Sequence, residues 1–286
     1  MNTAPFFQGI VPVVENVQLA RDTYRIRLSA PPLVGAIRPG QFLMLRIPGH
    51  SDPLLGRPFA LYDTVADDSG ADTGLDVVYL VIGKLTGLLA KAEAGDHVEV
   101  WGPLGNGFPD LTGKQHVALV AGGIGQTPFL AHIRALLGKH GYGGQQPAQQ
   151  VPKVSVFYGV RDAGLLAGVH DFRQAGATVH VATDDGSEGH AGFVTDLLDR
   201  HLSSDQKKPI DHLVGCGPEP MLAALTGVAR KHEIPCHLSL ETPMACGVGI
   251  CFSCVAPVKT DDGWDYARVC VDGPVFDAAE LKMFEE

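Results

Sequence analysis

Cys246, Cys251, Cys254 and Cys270 constrain this 286-residue chain more than any other feature of it. The first three fall in ETPMACGVGICFSCVAPV and the fourth in DYARVCVDG, a spacing of C-x4-C-x2-C-x15-C. Plant-type 2Fe–2S clusters use C-x4-C-x2-C and one distant cysteine. Two irons and two sulfides need four thiolates around a small object: three from one tight loop, the fourth from a returning segment. Gly247 and Gly249 suit such a loop, because glycine accepts backbone angles closed to other residues. A structural zinc site is the competing reading, since four-cysteine zinc modules are common. Those usually carry two C-x2-C pairs, whereas this chain has one C-x2-C and one C-x4-C. A disulfide framework fits less well: the sequence shows no apolar signal segment at its start, and reducing compartments disfavour structural disulfides.

The formal charge of −10 argues against a nucleic-acid binder, whose surface would have to neutralise phosphates. No uncharged apolar run reaches the 18 residues that suggest a membrane-crossing helix, so none is predicted. With cluster-like cysteines and no signal segment, a cytoplasmic location is expected.

The first third reads as β-structure, with candidate strands at 9–17, 23–29, 41–47, 58–62, 75–82 and 97–101. TYRIRLS and QFLMLRI alternate apolar and polar residues, the mark of half-buried strands. One short helix near 86–92 and a loose polar loop at 66–74 are expected between them. Six strands of this kind predict a small antiparallel barrel. After GPLGNGFPDL the pattern changes to apolar runs alternating with helices. HVALVAGG, VSVFYGV, ATVHVAT, DHLVGCG and CHLSLE are strand candidates; TPFLAHIRALLGKH, TDLLDRHL and PMLAALTGVARKH are helix candidates. That alternation predicts a doubly wound parallel sheet of about five strands. GYGGQQPAQQVP (141–152) reads as a low-complexity linker inside it. The expected fold is therefore multi-domain β plus α/β: a six-stranded antiparallel barrel (1–112), a doubly wound parallel domain (113–241) and a small cysteine module (242–286).

Two glycine-bearing loops are expected at the C-terminal edge of the parallel sheet, where ligands of such sheets bind. In VAGGIGQTPF the spacing Gly123-x-Gly125-x-x-Pro128 resembles a dinucleotide fingerprint with proline last. Glycines after a strand let the backbone approach a pyrophosphate, and the next helix offers free amides. Gly122, Gly123, Gly125, Thr127 and Pro128 are the candidates there, and Cys216, Gly217 and Pro218 of GCGPEPM form the second loop. Arg161, beyond the second strand, could accept a 2′-phosphate, although Asp162 beside it opposes one, so NAD and NADP stay open. In the barrel, GRPFALYD places an arginine before an aromatic strand. Arg57 could pair with a pyrophosphate while Tyr62 lies along a flat ring. The turn in VVYLVIGKLTGLL could cap a phosphate with the amides at 85–87. The bland alternative at each motif is an ordinary strand end or a surface arginine.

RPFALY, GKLT, GPLGNGF, GGIGQTP, CGPEPM and the cysteines occur in this order over nearly the whole chain. Together they resemble the ferredoxin-reductase superfamily, and the C-terminal cysteine position is most similar to the electron transfer subunits of dihydroorotate dehydrogenase B. The resemblance implies FAD, NAD and a 2Fe–2S cluster as cofactors. It carries Arg57-Pro58-Phe59-Ala60, Val78-Tyr79-Leu80, Leu85 and Thr86 onto the flavin site, and Cys246, Cys251, Cys254 and Cys270 onto the cluster ligands. It puts Cys216 near the nicotinamide, with Glu241 a weaker candidate, and implies no acid–base catalytic residue. Ala60 stands where the family strand usually ends in serine, and Leu85 where the turn usually has a second glycine. The implied partner is an FMN-bearing dihydroorotate dehydrogenase catalytic subunit, assembled as two of each subunit. Electrons from dihydroorotate would pass through the cluster and FAD to NAD. Alternatives are a reductase subunit serving a hydrogenase, transhydrogenase or oxygenase, and a zinc-bound regulatory protein.

Overall fold

A computed structural model describes residues 6–66, 71–204 and 209–284. Residues 67–70, part of the expected loop at 66–74, lie outside them. The chain runs β1 (Phe7–Ala20), β2 (Thr23–Ser29), α1 (Pro31–Val34), β3 (Phe42–Arg46), β4 (Arg57–Ala60), β5 (Asp63–Ala66), β6 (Asp72–Leu80), α2 (Lys84–Leu89) and β7 (His97–Leu104). It continues through β8 (His116–Gly122), α3 (Phe129–Leu136), β9 (Lys153–Val160), α4 (Val169–Gln174), β10 (Thr178–Thr183), β11 (His190–Ala191) and α5 (Val194–Ser203). It ends with β12 (His212–Cys216), α6 (Glu219–Lys231), β13 (Cys236–Ser239), β14 (Val255–Thr260), β15 (Gly263–Arg268) and β16 (Val275–Asp277).

The first sheet is antiparallel in the order β4-β3-β7-β1-β2-β6-β5. It has seven strands among the described residues, not six. The expected strand 58–62 stops at Ala60, because the next two amides bond in opposite directions. The Leu61 N–H donates to Gln41 beside β3, at 3.1 Å, and the Tyr62 N–H donates to Asp76 in β6, at 3.0 Å. Those two residues carry the chain from one edge of the sheet towards the other and curl it, with β4 and β5 remaining its edges. The extra strand β5 begins there. Ile26, Leu28, Leu43, Leu45, Val77 and Val100 fill the interior.

The second sheet, β11-β10-β9-β8-β12-β13-β16, is parallel except for β16. Every residue of β8 is buried. Its continuous apolar run reflects helices on both faces. The helix α4, between β9 and β10, was not predicted; it is six residues long and flanked by glycine and alanine, too short for a periodic signal. The stretch 141–152 is no loose linker, because Tyr142 and Val151 are buried. The cysteine segment has no core of its own. Cys254, Cys270, Met244 and Phe276 share one apolar cluster with Leu213, Leu225 and Leu238 of the α/β part and with Phe42, Met44 and Leu104 of the barrel.

His132 on α3 is 3% exposed and stacks on Phe108 at 4.2 Å, and its Nε2 has no hydrogen-bond partner among the described residues. Burial, with a smaller effect from His212, pushes its imidazole down to about 3. A depressed histidine contributes stability that is complete above its unfolded value near 6.5 and is lost as pH falls towards the folded value. By pH 5 the loss from this residue alone should reach about 2 kcal/mol. Urea unfolding of His132→Phe between pH 8 and 5 should show a shallower decline than wild type by that amount; equal slopes would contradict it.

Candidate functional site

Two cavities meet at the boundary between the barrel and the parallel sheet. The first, about 440 Å³, takes its walls from β4, β6, the start of α2 and the loop after β13. Arg57, Pro58, Phe59, Ala60, Val78, Tyr79, Leu80, Leu85 and Thr86 all line it, so the structure brings the whole expected flavin set together. Strand pairing explains part of this: β3 holds β4, and β2 holds β6 in register with Tyr24 opposite Tyr79. Tyr79 stacks on Tyr24 at 5.9 Å, meets Phe59 edge-on at 6.1 Å, and its hydroxyl donates to Asn16 at 3.1 Å. Arg57 is exposed, its guanidinium held at 3.0–3.1 Å by the carbonyls of Leu55 and Gly56. Leu85 packs with Leu89 in the barrel core while lining the cavity. The Thr86 hydroxyl accepts the N–H groups of Ile82 and Gly83, both at 3.1 Å, and so shapes the turn at the start of α2.

Tyr62 is not in this cavity. It is 1% exposed, packed between the barrel and the α/β part, where its hydroxyl donates to Asp171 at 2.6 Å. It follows the chain crossing after Ala60, which a strand through residue 62 would not have. Residues of the cavity that the sequence reading passed over are Ile82, Ser239, Thr242, Pro243 and Met244. Glu241, a weak candidate from sequence, is among the lining residues. Its exposed surface faces the cavity, and the protein around it raises its carboxyl above the ordinary value.

The second cavity, about 480 Å³, lies over the C-terminal ends of β8, β9 and β10. Gly122, Gly123, Tyr158, Arg161, Asp184 and Pro218 line it. Here the two glycine loops pack against each other. A Cβ on Gly125 would stand 2.4 Å from the Cys216 carbonyl oxygen, and one on Gly122 2.6 Å from the Met221 sulfur. Gly123, with φ +55°, has nothing within 4 Å of that position and faces open space. Thr127, Pro128 and Cys216 line the first cavity, not the second. Leu80 and Ile124 line both, so the two spaces touch at these residues. Phe193, 66% exposed immediately before α5, also lines the second cavity; no pattern in the sequence marks it. Burial, then the charge of Glu241, raises the Cys216 thiol well above its ordinary value, which makes it a neutral wall of the cavity and no nucleophile.

The cysteine loop sits against the barrel. The Trp101 indole donates to the Cys246 carbonyl at 3.1 Å, and a Cβ on Gly247 would meet Met44 and Leu104 within 3 Å. Gly247 and Gly249 both take positive φ, +74° and +80°. Among the described residues no three Cys, His, Asp or Glu side chains stand close enough to share one metal ion. Cys251 neighbours Cys246, and Cys270 neighbours Cys254 and, less strongly, Cys246, so the four thiols form one connected group. The Ser253 hydroxyl and amide, then Cys246, bring the Cys251 thiol down to about 6. Burial and Cys254 push Cys270 up to about 12. The Val248 N–H points at the Cys246 sulfur at 3.4 Å, the kind of donor that favours a thiolate.

A curled antiparallel sheet joined to a parallel α/β sheet, with adjoining cavities at the junction, defines an oxidoreductase of the ferredoxin-reductase type. The oxidoreductase NAD-binding domain model matches residues 119–226, and the iron–sulfur cluster binding domain of dihydroorotate dehydrogenase B matches residues 241–282. The dihydroorotate dehydrogenase B (NAD(+)) electron transfer subunit of Shouchella clausii is 37% identical over 96% of this chain and 98% of its own length. That of Geobacillus kaustophilus is 40% identical over 93% and 95%. A solved NADH-dependent reduced ferredoxin-NADP oxidoreductase superposes with a TM-score of 0.79 at 27% identity, covering 96% of this chain and 90% of that one. The chain belongs to the family of dihydroorotate dehydrogenase B electron transfer subunits.

Gly125→Ala tests the contact between the glycine loops. The added methyl forces one loop away from the other, and NADH affinity should fall roughly ten-fold, about 1.4 kcal/mol. Titration of the protein with NADH measures it, and an unchanged Kd would remove this contact from the site.

Proposed function

We propose that this chain passes electrons between a partner catalytic subunit and NAD, through a 2Fe–2S cluster and FAD, in the oxidation of dihydroorotate to orotate in pyrimidine biosynthesis. One observation carries the reading. The first cavity touches the second through Leu80 and Ile124, and its wall Glu241–Met244 leads two residues on to Cys246. Three sites in series along one short path suit relay of electrons. When bound, these groups supply the chemistry: hydride exchange at NAD, two-electron uptake and one-electron release at FAD, and single-electron carriage at the cluster.

The protein positions and shields. Residues 1–112 form the flavin unit, 113–241 the nucleotide unit and 242–286 the cluster module. Arg57 and the turn at Leu85–Thr86 hold the pyrophosphate of FAD, while Pro58, Phe59, Ala60, Val78, Tyr79 and Leu80 line its ring. Main-chain groups of the strand serve where Ala60 brings no hydroxyl. Gly123 admits the nucleotide pyrophosphate, with Gly122 beside it and Gly125 packing the loop against Cys216. Thr127, Pro128, Cys216, Gly217 and Pro218 frame the nicotinamide end, where Cys216, kept neutral, excludes water. NAD is read over NADP from the NAD(+)-linked relatives; in the second cavity Asp184 would take a free ribose 2′-hydroxyl, and Arg161 on the same cavity is the group that would compete for a 2′-phosphate. Cys246, Cys251, Cys254 and Cys270 would hold the cluster.

The partner subunit docks over the cysteine loop. Cys251 is exposed there, with Val248 at 40%, Ile250 at 79% and Phe252 at 63% exposure. Apolar side chains grouped around a redox centre mark a surface meant to be covered. The assembly is two of each subunit, the partner carrying FMN, in the cytoplasm. Among the described residues no helix is long and apolar enough to cross a membrane.

Co-expression with a dihydroorotate dehydrogenase catalytic subunit should give a complex that reduces NAD with dihydroorotate, and NADP far more slowly. A purified, cofactor-loaded pair that does neither would sink this reading in favour of another redox partner. Cys251→Ser should keep the flavin absorption, lose the cluster signal in electron paramagnetic resonance, and lose at least about nine-tenths of dihydroorotate-dependent NAD reduction.

A further inference from the structure

Hydride transfer requires reacting atoms about 3–3.5 Å apart, and misplacement by about 1 Å can cost about a hundred-fold in rate. The two cavities that would hold donor and acceptor belong mostly to different units, and touch at Leu80 of the barrel and Ile124 of the nucleotide loop. Something must fix the angle between the units. The contact between the cavities is apolar, and apolar contact does not fix an angle; the directional contacts between the units lie elsewhere, at the exposed Arg21–Asp162 pair and at a buried segment after β4.

The segment Leu61–Thr64 is placed to do so. All four residues are buried, and they follow directly on Ala60, which lines the first cavity. The Tyr62 carbonyl accepts the N–H of Ala131 at 3.0 Å, one of the free amides at the start of α3. That helix begins directly after Thr127 and Pro128, which line the same cavity, and after the Gly123–Gln126 turn. One turn on, Arg134 of α3 pairs with Asp63, and the Tyr142 hydroxyl donates to the other oxygen of that carboxylate at 2.6 Å. The Asp63 carboxylate is 9% exposed and also accepts the Thr64 N–H at 3.0 Å. Thr64 reaches His140 at 2.8 Å, and the Tyr62 hydroxyl meets Asp171 near the start of α4. These contacts border a charged cleft of about 700 Å³ that shares no lining residue with either cavity and is lined also by Arg25 and Asp76. A buried carboxylate with three fixed partners resists displacement, since any shift strands a charge.

We propose that Asp63, with Arg134 and Tyr142, is a positioning clamp that sets the approach of the nicotinamide to the flavin. It touches neither cofactor site. It ties the strand that lines the flavin cavity to the helix that follows the nucleotide loop. The proposal rests on the flavin and nicotinamide reading given above.

The test is anaerobic stopped-flow reduction of the cofactor-loaded complex by NADH. In Asp63→Asn the limiting rate of flavin reduction should fall roughly ten-fold, and in Tyr142→Phe about three-fold. The NADH concentration at half-saturation should stay within about two-fold, because the nucleotide loop itself is intact. Flavin content and visible spectrum should match wild type, and so should electron delivery from dithionite-reduced protein to ferricyanide. Arg134→Lys should retain more of the rate than Arg134→Met. If Asp63→Asn fails to fold, Tyr142→Phe, which removes a single hydroxyl, carries the test. Flavin-loaded variants that reduce at the wild-type limiting rate would overturn the clamp. So would a rate that falls only in proportion to lost flavin. Wild-type protein that NADH does not reduce would instead overturn the function proposed above.

Discussion

The cysteine segment has no interior of its own, and the rest of the molecule is arranged around that fact. About 45 residues seldom bury enough apolar surface to fold alone. Here Gly247 lies on Met44 and Leu104 of the barrel, Trp101 holds the Cys246 carbonyl, and β16 pairs with β13 at the edge of the parallel sheet. The Asn106 amide donates to the carbonyls of Val271 and Asp272 beside Cys270, at 3.2 and 3.0 Å. Both cysteine-bearing segments are thus fastened to the barrel, and the second to the α/β part as well. A ligand loop fastened to rigid strands cannot drift from the cavity its own backbone helps to wall.

That fastening explains motifs a nucleotide site alone leaves unexplained. GPLGNGF touches no nucleotide cavity. Its Gly105, at φ +69°, lies where a Cβ would stand 2.6 Å from Pro274, and its Asn106 N–H donates to Gly273 at 2.6 Å. Glycine is required there because two backbones meet. The same holds for Gly125 against Cys216 and Gly217. Close main-chain contact between loops sets the cavity edge first, and nucleotide approach is left to Gly123, where the space is open.

Sequence revealed those parts whose chemistry needs neighbours along the chain. The spacing of the first three cysteines, the glycine turn after β8 and the arginine that opens β4 are local requirements, and each could be read within a dozen residues. Seven barrel strands were not legible, since the break after Ala60 depends on Gln41 and Asp76 pulling adjacent amides apart. Tyr62 was misplaced for the same reason. Phe193 and the wall at Thr242–Met244 carry no local pattern and join their cavities only through tertiary packing. Asp63 meets Arg134 and Tyr142 across separations of 71 and 79 residues, and Tyr142 comes from a stretch whose composition suggests a linker. Composition registers glycine and glutamine there but not the one buried tyrosine that ties the stretch down.

The division between apolar and charged contacts follows from what each side must do. Where the cavities meet, Leu80 and Ile124 offer no charge, so a bound ring is gripped by shape and by neutral walls such as Cys216. Fixed charges beside a redox group would shift its potential and couple electron movement to proton uptake. In the separate cleft around Asp63 charge is used freely: Asp63 with Arg134, Asp76 with Arg27 at 2.8 Å, Asp171 with Tyr62. Directional, partnered charges define an angle between two bodies far better than apolar contact, which slides at little cost. Orientation is therefore set where charge does no harm to the electron path, and transmitted to the cavities through α3 and the strand leading into Asp63.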